Sequence, residues 1–225
     1  MKFVTGYLWR GEEHDGISSI TDNEQDSILL QQLRCGRNEV VLACVSDGGL
    51  LGGYLTSRLK EWLQKHRGEF FAKNLKQKEI CRSLQEEMNR ISIDLTQTKE
   101  RIKNGNMDFS AILIVGREFW LMQGGACGSY YLNRRFLNTH CRQLGNDFCE
   151  TWQVIPGKLE REVGMLLGTH GFLDSLSMDV IRQCMAAQDI SREEQIANRL
   201  KELYRESRRG GYMNSCAAVY IKSVS

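Results

Sequence analysis

The sequence has little proline and no excess of either charge. Its 225 residues include one proline, Pro156, so no proline-rich linker divides the chain into domains. Lys and Arg together number 30 and Asp and Glu number 28, which gives a net charge of +2. A charge this balanced gives no reason to expect a nucleic acid or an anionic membrane as a partner.

Long apolar segments are also missing. No apolar run approaches the roughly 20 residues that a membrane-spanning helix needs. The first residues, MKFVTGYLWRGEEHDG, lack the apolar centre of a signal peptide. We therefore expect a cytoplasmic protein. With 41% hydrophobic residues the chain can bury a core unaided, and its length predicts a single domain over residues 1–225.

None of the eight cysteines forms a CxxC pair or a zinc-knuckle spacing. Several lie within apolar runs, such as residues 42–45 and 216–219. We expect these cysteines to be small buried hydrophobic residues in a reducing compartment.

The hydrophobic pattern predicts strands and helices in alternating groups. The predicted strands are residues 38–45, 109–115, 119–122, 129–132, 163–168 and 215–221. The predicted helices are residues 54–66, residues 76–103 and two later helices capped by Ser177 and Ser191. The strands at 109–115, 119–122 and 129–132 are joined by connections too short for helical crossovers, which predicts an antiparallel meander. A turn is predicted at 133–135, after the last of them. This order is typical of an α+β protein whose antiparallel sheets are covered by helices.

The long predicted helix carries an apolar side that runs from Ile80 to Ile102. An amphipathic helix lying on a sheet accounts for this pattern. A docking face or dimer seam for another chain is the alternative.

The most distinctive local feature is a glycine-rich turn at residues 46–53, which follows a predicted strand and opens a helix. Such a turn suits a phosphate group. It is not a P-loop, because no Gly-Lys-Ser/Thr follows, and the glycine spacing does not match a dinucleotide fingerprint. A tight turn shaped by a hydrogen bond from Asp47 explains the feature equally well.

Four stretches in order carry a family resemblance. They are Asn-Glu-Gln-Asp-Ser-Ile at 23–28, Val-Ser-Asp-Gly-Gly at 45–49, the segment 164–174 around Gly-Thr-His-Gly, and the segment 210–221 around Tyr-Met-Asn-Ser. Together they resemble the PPM-type, protein phosphatase 2C-like, metal-dependent serine/threonine protein phosphatases. The resemblance implies a four-layer α-β-β-α sandwich, with two stacked antiparallel sheets flanked by helix pairs.

The resemblance also implies a two-metal hydrolytic site. In this family Mg²⁺ or Mn²⁺ ions bind the phosphate and lower the pKa of a bridging water. Asp47 matches the aspartate that bridges both ions, Gly48 the glycine that offers its carbonyl, and Asp26 the acidic residue of the first motif. Two further ligand positions are altered, since His170 and Met213 stand where the family has aspartates.

These changes weaken the implied metal site. The thioether of Met213 does not replace a carboxylate on Mg²⁺ or Mn²⁺, whereas the imidazole of His170 can still bind Mn²⁺. The family's basic phosphate-binding residue falls near Thr21, and its Gly-Asp-Ser-Arg turn falls on residues 125–128, without the Asp and Arg. We therefore expect at most one weakly bound Mn²⁺ or Mg²⁺ ion and assign no catalytic residue.

The function that follows is a degenerate phosphatase, a binding or regulatory module in serine/threonine phosphorylation signalling. Its expected partner is a protein, either a kinase or a phosphoprotein. The alternative is an active, divergent phosphatase in which His170 or Asp174 completes the ligand set. The sequence predicts no oligomeric state.

Overall fold

The computed structural model describes residues 2–10, 13–14, 17–18, 26–35, 38–71, 76–99, 107–135, 138–144, 149–160, 162–185, 190–209 and 215–224. The strands are β1 (Lys2–Arg10), β2 (Glu13–His14), β3 (Ile17–Ser18), β4 (Ser27–Cys35), β5 (Asn38–Asp47), β6 (Asp108–Val115), β7 (Glu118–Gly125), β8 (Gly128–Arg135), β9 (Asn138–Leu144), β10 (Cys149–Lys158), β11 (Val163–Gly168) and β12 (Cys216–Val224). The helices are α1 (Leu50–His66), α2 (Gln77–Lys99), α3 (His170–Leu173), α4 (Met178–Met185) and α5 (Glu193–Arg209), and a 3₁₀ helix, Arg67–Phe71, follows α1.

The strands form two five-stranded sheets and a small hairpin of β2 and β3. Sheet 1 has the order β10-β7-β6-β5-β4, and sheet 2 has the order β1-β12-β11-β8-β9. Neighbouring strands pair antiparallel in both sheets. Strand β6 is buried on both faces beyond its first residue, which explains its nearly continuous apolar sequence.

Alternating side chains divide the core into three layers. One face of sheet 1 packs on α1 and α2, for example through Leu42, Leu59 and Leu84. Its other face meets sheet 2 through residues such as Ile112 and Val219. The outer face of sheet 2 is covered by α3, α4 and α5. This is the four-layer α-β-β-α sandwich that the sequence predicted.

The long helix α2 lies on sheet 1. The apolar side chains on one side of it are buried in the protein's own core, namely Ile80, Leu84, Met88, Ile91 and Leu95. The described part of this side is therefore not free to serve as the docking face or dimer seam that was the alternative interpretation. Ile102 lies outside the described residues.

The predicted meander is wrong in part. Strands β6 and β7 pair as expected, but β8 belongs to sheet 2, where it pairs with β9 and β11. The glycine-rich bend between β7 and β8 carries the chain from one sheet to the other. The predicted turn at 133–135 is also wrong, because β8 continues to Arg135.

The helix caps agree only partly with the sequence. The Ser177 hydroxyl accepts a hydrogen bond from the Val180 amide at 3.3 Å, as predicted for the start of α4. At the start of α5 the Gln195 side chain instead reaches back, and its Oε1 accepts from the amides of Ser191 and Arg192 at 2.8 and 3.0 Å.

Of the helices that the structure describes, none is both long and apolar enough to cross a bilayer.

Four of the cysteines are buried, as predicted for small hydrophobic residues. They are Cys35, Cys44, Cys127 and Cys216. Cys81 and Cys184 are unpaired and half-buried, and the side chains of Cys141 and Cys149 lie outside the described residues.

Candidate functional site

Three aspartates lie side by side where the strands of sheet 1 end. Asp47, the last residue of β5, is directly opposite Asp108, the first residue of β6. Asp26 precedes Ser27 of β4, which pairs with Ser46 of β5. Asp26 therefore lies beside Asp47 on the side away from Asp108. Alternation along the strands places all three on the face that meets sheet 2. We call Asp26, Asp47 and Asp108 the aspartate row.

Asp26 links the ends of four strands. One carboxylate oxygen accepts a hydrogen bond from the Thr169 hydroxyl at 2.7 Å, and the other accepts from the Ser215 hydroxyl at 2.8 Å. Its backbone carbonyl accepts from the indole N–H of Trp9 at 2.7 Å. Asp26 thus joins the start of β4 to the end of β1, the end of β11 and the start of β12.

Asp26 carries an elevated pKa. Its exposed fraction is 4%, and this burial raises its pKa from 3.8 to about 6. The hydrogen bonds from Thr169 and Ser215 oppose the rise because they favour the charged form, while the negative charge of Asp47 adds to it. Asp26 is therefore a buried, hydrogen-bonded residue beside Asp47.

Asp47 is half-buried at the centre of the aspartate row. Burial raises its pKa, the negative charge of the adjacent Asp108 raises it further, and the charge of His170 lowers it. His170 is the first residue of α3, and its Nε2 lies 3.8 Å from a carboxylate oxygen of Asp174. The structure therefore brings Asp26, Asp47 and His170 to one end of the sandwich.

Gly48 turns the chain from β5 into α1. Its φ of +135° is unfavourable for residues with a side chain, and an added Cβ would crowd Met107. Its carbonyl oxygen, the predicted ligand, accepts a hydrogen bond from the Leu51 amide at 3.1 Å within the first turn of α1.

Asp108 is the site residue that the sequence analysis missed. Its carboxylate lies against Gly125, where a Cβ would overlap it and where φ is +72°. Only glycine suits that position. A signal was available, because β5 was predicted to end near Asp47 and the next sheet strand to begin at 109. Antiparallel pairing of those two strands brings their ends together.

Cys127 lies in the bend between β7 and β8, close to the aspartate row. Burial raises the pKa of its thiol well above the usual value, and the charges of Asp108, Asp47 and Asp26 raise it further. A hydrogen bond with the Asp47 backbone opposes this rise. Because the thiolate is the nucleophilic form, this environment makes Cys127 unreactive.

Several predicted positions lie outside the described residues, namely Thr21, Met213 and residues 23–25. Within the part of the chain that the structure describes, no group of three or more His, Cys, Asp and Glu side chains is arranged to hold a metal ion. Among the described residues, the aspartate row concentrates negative charge at this end of the sandwich.

No family model matches the chain, and no curated protein matches it either. Solved structures do match. The phosphatase Stp1 from Staphylococcus aureus has a TM-score of 0.72 at 12% identity and covers 100% of this chain and 96% of that chain. The serine/threonine phosphatase PstP/Ppp of Mycobacterium tuberculosis has a TM-score of 0.66 at 14% identity, with 99% of both chains covered.

A further structure, the catalytic domain of PstP in complex with two manganese ions, has a TM-score of 0.66 at 14% identity and covers 100% of both chains. At these identities the likeness shows the fold. The chain has the PPM-type fold of the protein phosphatase 2C-like serine/threonine phosphatases, as its sequence motifs predicted.

Proposed function

We propose that this chain is a phosphatase-fold domain that binds a protein partner in serine/threonine phosphorylation signalling and has impaired or lost catalysis. The observation that carries the proposal is His170 at the junction of β11 and α3, close enough to Asp47 for its charge to lower the pKa of that carboxyl. The resemblance places a carboxylate there. Mg²⁺ and Mn²⁺ prefer oxygen ligands, so an imidazole at this position weakens the binding of one of the two metal ions that the resemblance implies.

The described residues fit a two-ion centre poorly. Both carboxylate oxygens of Asp26 already accept hydrogen bonds, and so does the carbonyl of Gly48. Asp47 and Asp108 remain as carboxylates, which suffice for one ion that keeps several waters. We therefore propose at most one weakly bound Mn²⁺ or Mg²⁺ ion and no metal-dependent catalysis.

The aspartate row also bears on the choice of partner. It concentrates negative charge at one end of the sandwich, and His170 is the basic group that acts on Asp47 there. Without a cation, this end of the protein repels a phosphate. A kinase or phosphoprotein partner would thus bind to other parts of this protein's surface, or would bind here together with a metal ion.

One observation favours the second candidate, an active and divergent phosphatase. Asp108 adds a carboxylate that the sequence motifs do not include, next to Asp47 in the strand register. It gives the alternative ligand set a second strong oxygen donor, with His170 or Asp174 as a third.

Metal titration and phosphatase assays on the same sample distinguish the two candidates. Calorimetry with Mn²⁺ and Mg²⁺ should show no binding or one weak ion, and para-nitrophenyl phosphate should not be hydrolysed. The matched control is Asp179→Asn, an exposed aspartate on α4. Tight binding of two ions, with turnover that is lost in Asp47→Asn and kept in the control, would establish the enzyme instead.

A further inference from the structure

A second group of reactive side chains lies away from the aspartate row, where α1, the 3₁₀ helix and α2 meet. Ser83 of α2 has its hydroxyl oxygen 3.4 Å from Nε2 of His66, the last residue of α1. Nδ1 of His66 lies 2.7 Å from a carboxylate oxygen of Glu69 in the 3₁₀ helix. The indole N–H of Trp62 donates to the Ser83 oxygen at 3.1 Å.

The chemistry of the partners fixes the direction of two hydrogen bonds in this network. An indole nitrogen can only donate, so the Ser83 oxygen accepts from Trp62 and its own proton is free to donate. A carboxylate can only accept, so Nδ1 of His66 carries the proton that Glu69 receives. When the imidazole is neutral, its Nε2 is the acceptor for the Ser83 hydroxyl. The order is hydroxyl, base and carboxylate, as in nucleophilic serine sites.

Packing holds the imidazole in this orientation. The His66 ring stacks on Trp62 with the ring centroids 4.7 Å apart and an interplanar angle of 25°. Trp62 is itself buried in the core, so the stack is anchored to α1. The His66 side chain is 17% exposed, and Ser83 is half-buried. Both side chains thus lie at the edge of the core, partly open to solvent.

We propose that Ser83 is an acyl-acceptor serine, with His66 as its general base and Glu69 as a positioning residue. The substrates are small, activated carboxylic esters. The Ser83 oxygen attacks the ester carbonyl carbon while its proton passes to Nε2 of His66. The bond to the leaving alkoxide or phenolate then breaks, and that group takes the proton. The products are an ester on Ser83 and a free alcohol or phenol.

The geometry suits this step in its resting form. The 3.4 Å separation of Ser83 and His66 is longer than a strong hydrogen bond, as is common at nucleophilic sites before substrate binds. The Trp62 N–H holds the serine oxygen in position, and Glu69 stabilises the imidazolium that forms. The proposal concerns acylation of the chain and is independent of any ion at the aspartate row.

The test treats the full-length protein with para-nitrophenyl acetate, followed by peptide mass spectrometry and by release of para-nitrophenol. In the unmutated protein we expect Ser83 to be acetylated at least tenfold faster than Ser57, an exposed serine on α1. Ser83→Ala should abolish the fast phase and Ser57→Ala should leave it unchanged. His66→Gln should slow it by about a hundredfold, the usual contribution of a general base.

Glu69 is tested separately as a positioning residue. Glu69→Gln should slow acetylation of Ser83 by about tenfold, and Glu69→Asp should restore part of the rate, at an unchanged melting temperature. Acetyl groups found on lysines or on His66 instead of Ser83, or a His66→Gln rate within threefold of normal, would overturn the proposal. Mass spectrometry identifies the acetylated residue in the unmutated protein, so this result does not depend on whether the variants fold.

Discussion

Asp26 allows a direct test of the electrostatics of the aspartate row. Burial is the main reason that its pKa rises from 3.8 to about 6. Between pH 3.8 and pH 6 the Asp26 carboxyl is protonated in the folded protein and ionised in the unfolded chain. The favourable contribution of this proton to stability is complete below pH 3.8 and is lost as the pH rises through 6. The difference corresponds to about 3 kcal/mol in the free energy of unfolding.

The variant Asp26→Asn removes this titration and keeps the shape of the side chain. Its amide has one oxygen, so one of the hydrogen bonds from Thr169 and Ser215 loses its acceptor at every pH. The informative quantity is therefore the stability of the unmutated protein minus that of the variant, followed against pH. We expect this difference to fall by about 2.5 kcal/mol between pH 4 and pH 7.5.

Urea unfolding at several pH values, followed by circular dichroism and tryptophan fluorescence, measures the difference. Asp179→Asn is the control, because that aspartate is exposed and its substitution should give a small, nearly constant difference. A difference for Asp26→Asn that does not change with pH would show that Asp26 ionises in the folded protein as it does in water. The reasoning from burial would then be refuted.

Three further predictions concern neighbouring parts of the structure. Asp108→Asn should lower the pKa of Asp47, because it removes an adjacent negative charge, and carboxyl NMR titration measures this change. Gln85→Ala should cost about 1–3 kcal/mol in urea unfolding, since the side chain bonds two backbone groups of β10. Gly164→Ala should lower the melting temperature by several degrees because its Cβ would overlap a buried tyrosine, whereas Gly53→Ala, in open helical space, should raise it.

The fold was predictable where one local pattern determines an element. Strand β11 matches the predicted range 163–168, because its six residues are all buried and apolar or small. The start of α1 was placed four residues late, since Gly52 and Gly53 argue against a helix. In the structure Gly52 is needed, because a Cβ there would overlap the Ser46 hydroxyl. A contact of this kind, between two different elements, cannot be predicted from the local hydrophobic periodicity.

The site was predictable only through its motifs. Asp47 and His170 were identified by resemblance, and the structure places them near each other. Asp108 belongs to none of the motif stretches and becomes visible only when β5 and β6 are paired. The bonds from Asp26 to Thr169 and Ser215 span 143 and 189 residues of sequence, so no spacing rule could reveal them.

Strand β10 lies at the edge of sheet 1, and edge strands offer free backbone groups to other chains. Two of those groups in β10 are already occupied. The Val154 amide donates to Oε1 of Gln85 at 3.2 Å, and Nε2 of Gln85 donates to the Trp152 carbonyl at 3.5 Å. One amide side chain from α2 thus takes the place of a neighbouring strand. Gln85 therefore protects the protein against intermolecular strand pairing and aggregation along this edge.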